Sequence, residues 1–210
     1  MMALKLSRKH LGIPYALFMA LFVVFPLLLI IYYAFTDPDT GKVSMINFID
    51  FFTSNANLTA LFISLALAVL TTAICLLIAY PAAYILARTD MNKNGIMLLL
   101  FILPMWINFV LRTAAMKELL YSIGMFNSNK TSFINTLIGM VYDYLPFAIL
   151  PIYTILQKLD KNIIEASSDL GASNAQTLFK VTIPRARPGL ISAATMLLRP
   201  TMTSYADYDT

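Results

Sequence analysis

Long apolar runs dominate this chain, and the run at 12–35 is typical of them. A helix needs about 20 consecutive apolar residues to cross the hydrocarbon core of a bilayer. Because a membrane interior has no water to satisfy backbone N–H and C=O groups, such runs must be helical. Only 12% of the residues are charged, against about a quarter in an ordinary soluble domain. We therefore predict an all-α fold, a polytopic transmembrane helix bundle.

Five runs are candidate spans, and together they predict a single transmembrane domain over 1–210. The first run exceeds the 7–15 residues, roughly, of a signal-peptide core, which favours a retained helix. The last run is the weakest, because Arg199 lies well inside it and a central arginine costs about 2.5–3.5 kcal/mol on insertion scales. The predicted spans are approximately 12–35, 58–87, 95–111, 132–156 and 188–204.

The basic residues outside the spans are distributed unevenly between the two sides. Cytoplasmic loops of membrane proteins carry the excess of lysine and arginine. The pattern therefore predicts a cytoplasmic amino terminus, a cytoplasmic 157–187 segment and external loops at 36–57 and 112–131. The richer side holds Lys5, Arg8, Lys9, Arg88, Lys93, Lys158, Lys161, Lys180, Arg185 and Arg187, and the other side holds Lys42, Arg112, Lys117 and Lys130.

The sequence offers little for catalysis or metal binding. The pair Gly41-Lys42 is followed by Val43, so it is not part of a phosphate-binding G-x-x-x-x-G-K-[ST] loop. His10 is the single histidine, and Cys75 is the single cysteine. We expect no catalytic residue, no cofactor and no metal site, and hence no enzymatic activity in this chain.

The 157–187 segment is polar and is predicted to contain two short helices. In its first half, Ile163, Ala166 and Leu170 recur at helical spacing. Gly171 follows at the position where a helix commonly ends in the left-handed conformation, which glycine adopts at little cost. The first short helix is therefore expected to end at Gly171.

The second short helix is predicted to begin at 173–176, whose sequence Ser-Asn-Ala-Gln is a capping-box pattern. Its apolar face would consist of Ala175, Leu178 and Phe179. Pro184 is expected to end it. The predicted result is a helix–glycine–helix unit with a bend at the glycine.

Each of these helices has an apolar stripe that the segment alone is too small to bury. The stripes could lie on lipid headgroups or pack beneath the bundle. Interfacial helices usually carry basic residues on their polar face, whereas the first helix carries Glu165 and Asp169. This favours a groove on a partner protein.

The residues of this unit resemble a known signature. Glu-Ala-Ser at 165–167 is followed after three residues by Gly171, and after nine more by Val-Thr-Ile-Pro at 181–184. This spacing resembles the EAA signature of permease subunits in bacterial ATP-binding cassette importers. The chain departs from the signature mainly at Ser167, where the second alanine is expected. The stretches 103–113 and 142–160 resemble the spermidine/putrescine branch of that family.

The resemblance implies a function and a set of partners. The chain would be a permease subunit in the bacterial inner membrane and would form part of the path for a polyamine. Its expected partners are ATPase subunits that hydrolyse ATP, a second permease subunit and a periplasmic or lipid-anchored substrate-binding protein. The residues expected to couple it to the ATPase are Glu165, Ala166, Ser167, Gly171, Ala172, Leu178, Phe179 and Pro184.

Members of this branch have six spans. The resemblance therefore implies that the chain, which ends at Thr210 with five predicted spans, is truncated at its carboxyl terminus.

Three polar or aromatic residues in or beside the spans are candidates for the substrate path. Ionisable groups inside a membrane commonly mark such paths, so Asp143 is the first candidate, although it could equally be the structural partner of an arginine or a tyrosine. Trp106 could stack on a cation or serve in packing. Arg112 could line the path or anchor the end of the third span.

Other functions remain open at this stage. The chain could be a permease of the same family for another small solute. It could be a self-contained secondary transporter, although the inverted repeats typical of those folds are not evident. It could also be a membrane scaffold or assembly protein.

Overall fold

The computed structural model describes residues 8–38, 40–88, 95–124 and 132–203. Their regular structure is helical, apart from one isolated antiparallel bridge between Thr36 and Val43. The helices are α1 (Arg8–Met19), a π-turn (Ala20–Val24), α2 (Phe25–Ala34), α3 (Ile46–Thr53), α4 (Asn55–Arg88), α5 (Ile96–Ile102), a 3-10 turn (Leu103–Trp106), α6 (Phe109–Ser122), α7 (Ser132–Lys158), α8 (Lys161–Asp169), α9 (Asn174–Thr177), a second π-turn (Leu178–Thr182) and α10 (Ile183–Thr203).

Among the described residues, three helical stretches are long and apolar enough to cross a membrane: Gly12–Ala34, Asn55–Arg88 and Phe133–Lys158. The bent pair Ile96–Trp106 and Phe109–Ser122 makes a fourth if it is counted as one span. These stretches confirm the predicted helical membrane bundle. α10 does not reach the same hydropathy, since Arg185, Arg187 and Arg199 lie within it, and the fifth span remains a prediction.

The third predicted span, 95–111, is not one continuous helix in the structure, and its standing as a span stays a prediction. After α5 the chain forms the 3-10 turn, which has Pro104 near its start. The backbone of Ile107, the residue after the turn, is extended. Asn108 then caps α6, because its side-chain oxygen accepts a hydrogen bond from the N–H of Val110 at 2.9 Å. The two halves meet at 94°. The predicted external loop at 112–131 is accordingly helical as far as Ser122.

The chain divides into two compact units, Met1–Leu61 and Phe62–Thr210. In the second unit, buried residues recur every three or four positions along α10, so one stripe of that helix faces inward. Alanine and glycine dominate this stripe, and small residues are what allow membrane helices to approach closely. Its members are Ala186, Gly189, Ala193, Leu197 and Thr201.

α10 and α7 approach each other closely at Gly189. A Cβ atom added there would lie 3.0 Å from the Cγ1 atom of Ile155 and 3.2 Å from the carbonyl oxygen of Pro151. The carbonyl belongs to the backbone and cannot rotate away. The helices can therefore pack at this distance because residue 189 has no side chain.

We predict that Gly189→Val destabilises the protein by about 1–3 kcal/mol, because overpacking displaces backbone as well as side chains. The measurement is thermal unfolding of the detergent-purified chain. The matched control is Gly12→Val, since a Cβ atom at Gly12 meets no heavy atom within 4 Å. Equal effects of the two substitutions would show that α7 and α10 do not pack through Gly189.

Candidate functional site

The first helix that begins in the 157–187 segment is α8, and a side chain caps its amino-terminal end. The side chain of Asp160 accepts a hydrogen bond from the N–H of Asn162 at 3.0 Å. The helix ends at Asp169, and Gly171, which follows the capping residue Leu170, has a φ of +80° that confirms the predicted left-handed conformation. The N–H of Gly171 donates to the carbonyl oxygen of Ser168 at 2.9 Å, and the N–H of Ala172 donates to the carbonyl oxygen of Ser167 at 3.1 Å. This pair of bonds is the Schellman motif, which satisfies carbonyls left free at a helix end.

The predicted capping box that starts the second helix is confirmed. The N–H of Gln176 donates to the hydroxyl of Ser173 at 3.3 Å, and the N–H of Ser173 donates to the side chain of Gln176 at 2.9 Å. Both bonds fix the direction in which the chain leaves the glycine bend.

The prediction that Pro184 ends this helix was wrong. A proline ring clashes with the carbonyl four residues before it in a regular α-helix. Here the preceding turn is a π-turn, in which the N–H of Ile183 donates to the carbonyl of Leu178, five residues back. The wider turn makes room for the ring. The second helix therefore continues directly into α10 and forms one helical path from Asn174 to Thr203.

A buried side-chain hydrogen bond joins the two halves of the bend. The hydroxyl oxygens of Ser167 on α8 and Thr177 on α9 are 2.7 Å apart. The hydroxyl of Thr182 donates to the carbonyl of Thr177 at 3.3 Å. Ser167 stands at the position where the EAA pattern has its second alanine. Its hydroxyl, which alanine lacks, links α8 to α9.

Much of the apolar surface of the segment is exposed. Leu170 is 89% exposed and Phe179 is 66% exposed, while Glu165 and Ala166 also face outward. A shallow groove runs between α8 and the start of α10. Its lining includes the apolar residues Ile163, Ala166, Leu170, Val181 and Pro184 and the basic residues Lys180 and Arg185. Of the predicted coupling residues, Ala166, Ser167 and Pro184 line this groove, Glu165 and Phe179 are exposed beside it, and Ser167 is buried.

A buried ion pair lies where the third span breaks. The Nε atom of Arg112 in α6 is 3.0 Å from the Oδ1 atom of Asp143 in α7. Both side chains are buried. The hydroxyl of Thr113 donates to the Oδ2 atom of Asp143 at 3.2 Å. The structure therefore brings together two of the three residues predicted for the substrate path.

Arg112 also donates a hydrogen bond to a backbone carbonyl at the break. Its Nη1 atom donates to the carbonyl oxygen of Pro104 at 3.0 Å, on the other side of the bend. The Arg112 guanidinium lies 5.9 Å from the centroid of the Phe109 ring. Arg112 is thus an interior residue that fastens the bend to α7 and not the end-of-helix anchor that the sequence suggested.

Trp106, the third predicted path residue, lies in a different environment. It ends the 3-10 turn, and its side chain is 81% exposed. Among the described residues there is no group of three or more histidine, cysteine, aspartate or glutamate side chains that could hold a metal ion. The sequence left open an arginine partner for Asp143 but did not identify it as Arg112.

We predict that Arg112→Met and Asp143→Leu each destabilise the protein by about 3–5 kcal/mol, because either change leaves one buried charge without its partner. The double variant should be more stable than either single variant, since it removes both charges. Chemical unfolding of the four proteins in detergent gives the coupling free energy. Additive effects of the two substitutions would contradict the pairing.

Comparison with known proteins connects both parts of the site to one family. Residues 76–202 match the family described as binding-protein-dependent transport system inner membrane component. The chain is 34% identical over 203 residues to the spermidine/putrescine transport system permease protein PotB of Haemophilus influenzae, covering 86% of this chain and 69% of the relative. The Escherichia coli protein of the same name is 34% identical over 201 residues, covering 88% and 73%.

A more distant relative extends the match along nearly the whole chain. The PotB homolog of Mycoplasma genitalium is 27% identical over 216 residues, covering 96% of this chain and 73% of the relative. The match to the family spans α7, the Gly171 bend and most of α10. The chain belongs to the family of binding-protein-dependent transport system inner membrane components.

Proposed function

We propose that the chain is the permease subunit of an ATP-binding cassette importer that carries a polyamine, spermidine or putrescine, across the bacterial inner membrane. The observation that carries this proposal is the bent α8–Gly171–α9 surface, with its intact caps and its exposed apolar side chains. Relatives at 34% identity that bear the name of a spermidine/putrescine permease support the choice of substrate.

The bent surface is suited to docking in a groove of an ATPase subunit. Leu170 and Phe179 present large apolar side chains that the described residues leave exposed. Burial of apolar surface stabilises association by about 25 cal/mol for each Å² removed from water. Glu165 on the outer side of α8 adds a charge that can fix the register of docking by pairing with a basic group.

The continuity of α9 with α10 provides a route by which movement of the docked helices could reach the membrane helices. α9 continues through the π-turn into α10, so a movement imposed on the docked helices also moves the long helix. ATP binding and hydrolysis would take place in the partner, since the chain has no phosphate-binding loop. A second permease subunit and a substrate-binding protein complete the proposed importer, with the amino terminus of this chain in the cytoplasm.

A proposed path for a polycation has to explain what the Arg112–Asp143 pair does when the substrate passes. In the present conformation the Asp143 carboxylate is matched by a guanidinium at 3.0 Å, so the pair presents no net negative charge. An ammonium group would have to take the place of Arg112 to use this carboxylate. Trp106 is exposed, and its ring offers a face on which a cation can stack without that exchange. We propose Trp106 as a weak contact for the substrate and the pair as a contact made only when the bend rearranges.

We predict that Gly171→Val abolishes ATPase association and spermidine uptake while the chain still inserts in the membrane. A β-branched residue held at a φ of +80° is strained by about 1–3 kcal/mol, and α9 would leave the bend in another direction. The measurements are recovery of the ATPase subunit with the purified chain and uptake of radiolabelled spermidine by membrane vesicles. Glu165→Ala should weaken both by a smaller factor.

The matched control is Gly41→Val. Gly41 also has a left-handed backbone, with a φ of +66°, and open space around it, but it lies in a loop predicted to face outward. Gly41→Val should retain ATPase association. Normal association and uptake in Gly171→Val would contradict the coupling role, and ATPase-dependent uptake of a different solute with no spermidine uptake would contradict the substrate alone.

A further inference from the structure

The short helix α3, Ile46–Thr53, lies between the first two spans and has two distinct faces. Asn47, Asp50 and Thr53 recur every three residues and share one side of the helix. Ile49 and Phe52 share another side, together with Phe48. The helix is therefore amphipathic, although eight residues are too few to form a stable helix alone in water.

The polar side of α3 is fastened to the end of the first span. The side-chain amide nitrogen of Asn47 lies within hydrogen-bonding distance of the carbonyl oxygens of Tyr33 at 3.1 Å, Ala34 at 3.3 Å and Thr36 at 3.0 Å. The last carbonyls of a helix have no partner within the helix, and Asn47 supplies one. The span Gly12–Ala34 ends at these carbonyls.

This contact fixes the depth of α3. An amide that touches the last carbonyls of a span must lie at the boundary between the hydrocarbon core and water. An aromatic contact holds the next residue at the same level, because the ring centroids of Phe35 and Phe48 are 5.2 Å apart. α3 therefore starts at the membrane surface, whichever side of the membrane that is.

The opposite face of α3 is not covered by the rest of its own unit, Met1–Leu61. Ile49 is 58% exposed and Phe52 is 64% exposed. The ring of Phe51 packs edge-on against Phe52, with centroids 5.3 Å apart, so the two rings form a broad apolar surface. Large apolar side chains at this depth would be unfavourable in water and favourable in the outer part of the acyl chains.

We propose that α3 is an interfacial anchor whose Ile49–Phe52 face inserts into the headgroup and acyl-chain boundary of the lipid bilayer. Two features favour lipid over a protein partner as the occupant. The depth of the helix is set by a membrane span, and phenylalanine is one of the side chains that interfacial helices bury in the lipid. The anchor, through Asn47, holds the end of the first span at the interface and limits its vertical movement.

The charge of α3 agrees with the external side of the membrane. Asp50 is its one charged residue, and it lies on the polar face. Interfacial helices on the cytoplasmic leaflet use lysine and arginine to bind anionic lipids, because that leaflet carries the negative surface potential. A helix without basic residues fits the opposite leaflet, as the predicted orientation requires. This inference is independent of the proposed polyamine transport.

The test uses nitroxide labels on the full chain in native membrane vesicles. Cys75 is the single native cysteine, so Cys75→Ala gives a background for Ile49→Cys, Phe52→Cys and Asp50→Cys. Two labels on the apolar face allow a reading if one variant fails to insert. Collision rates with oxygen, which concentrates in lipid, and with a nickel chelate, which stays in water, are measured by electron paramagnetic resonance.

The expected result is a ratio of oxygen to nickel accessibility that is several-fold higher at Ile49→Cys and Phe52→Cys than at Asp50→Cys. Equal access of the nickel chelate to all three labels would place the apolar face in water and overturn the proposal. Protection of both apolar-face labels from both reagents would also overturn it, because the face would then lie beneath another protein.

Discussion

The approach of α7 and α10 at Gly189 is the contact on which the second unit of this protein depends. Ile155 and the carbonyl of Pro151 occupy the space that a side chain at position 189 would need. Ala186 and Ala193 lie on the same buried stripe of α10. α7 leads into α8 through the capping residue Asp160. α10 is continuous with α9 through the π-turn. The two helices that meet at Gly189 therefore hold both sides of the Gly171 bend, and under the proposed docking a force applied there would pass along two packed helices.

The buried polar groups must pair with one another, because a membrane interior has no water to satisfy them. A break in a membrane helix leaves backbone carbonyls unsatisfied. At the bend between the 3-10 turn and α6, Arg112 donates to the carbonyl of Pro104 and pairs with Asp143. The arginine thus offsets the loss of helical hydrogen bonds, and the aspartate offsets the charge of the arginine. The pair holds α6 against α7, so any change in the bend must also rearrange these charges.

The sequence predicted those features that depend on short-range chemistry. Gly171 adopts a left-handed backbone, and Ser173 with Gln176 forms the capping box, because both motifs are local and their residues are specific. The apolar runs predicted α4 and α7 to within a few residues. The standing of 188–204 as a fifth span, the orientation in the membrane and the roles of the coupling residues remain predictions.

The sequence failed where tertiary context decides between local alternatives. Pro184 usually ends a helix, but a π-turn accommodates it here. The run at 95–111 is apolar throughout, yet Pro104 and the capping residue Asn108 divide it. The pairing of Arg112 with Asp143 joins residues far apart in the chain, and no periodicity indicates it. The amphipathic pattern of α3 was visible at Asn47, Asp50 and Thr53, but a helix of this length could not be separated from a loop without its contacts to the first span.

The central claim is that the Gly171 bend docks on an ATPase. A photoreactive amino acid in place of Leu170, which is 89% exposed at the bend, tests it most directly in intact cells. The matched position is Ile191, which is 64% exposed on α10 and predicted to lie in the membrane. Mass spectrometry of the cross-linked products should identify an ATP-binding cassette subunit with the Leu170 probe and not with the Ile191 probe. Efficient insertion of the Leu170 variant with no ATPase adduct would contradict the account.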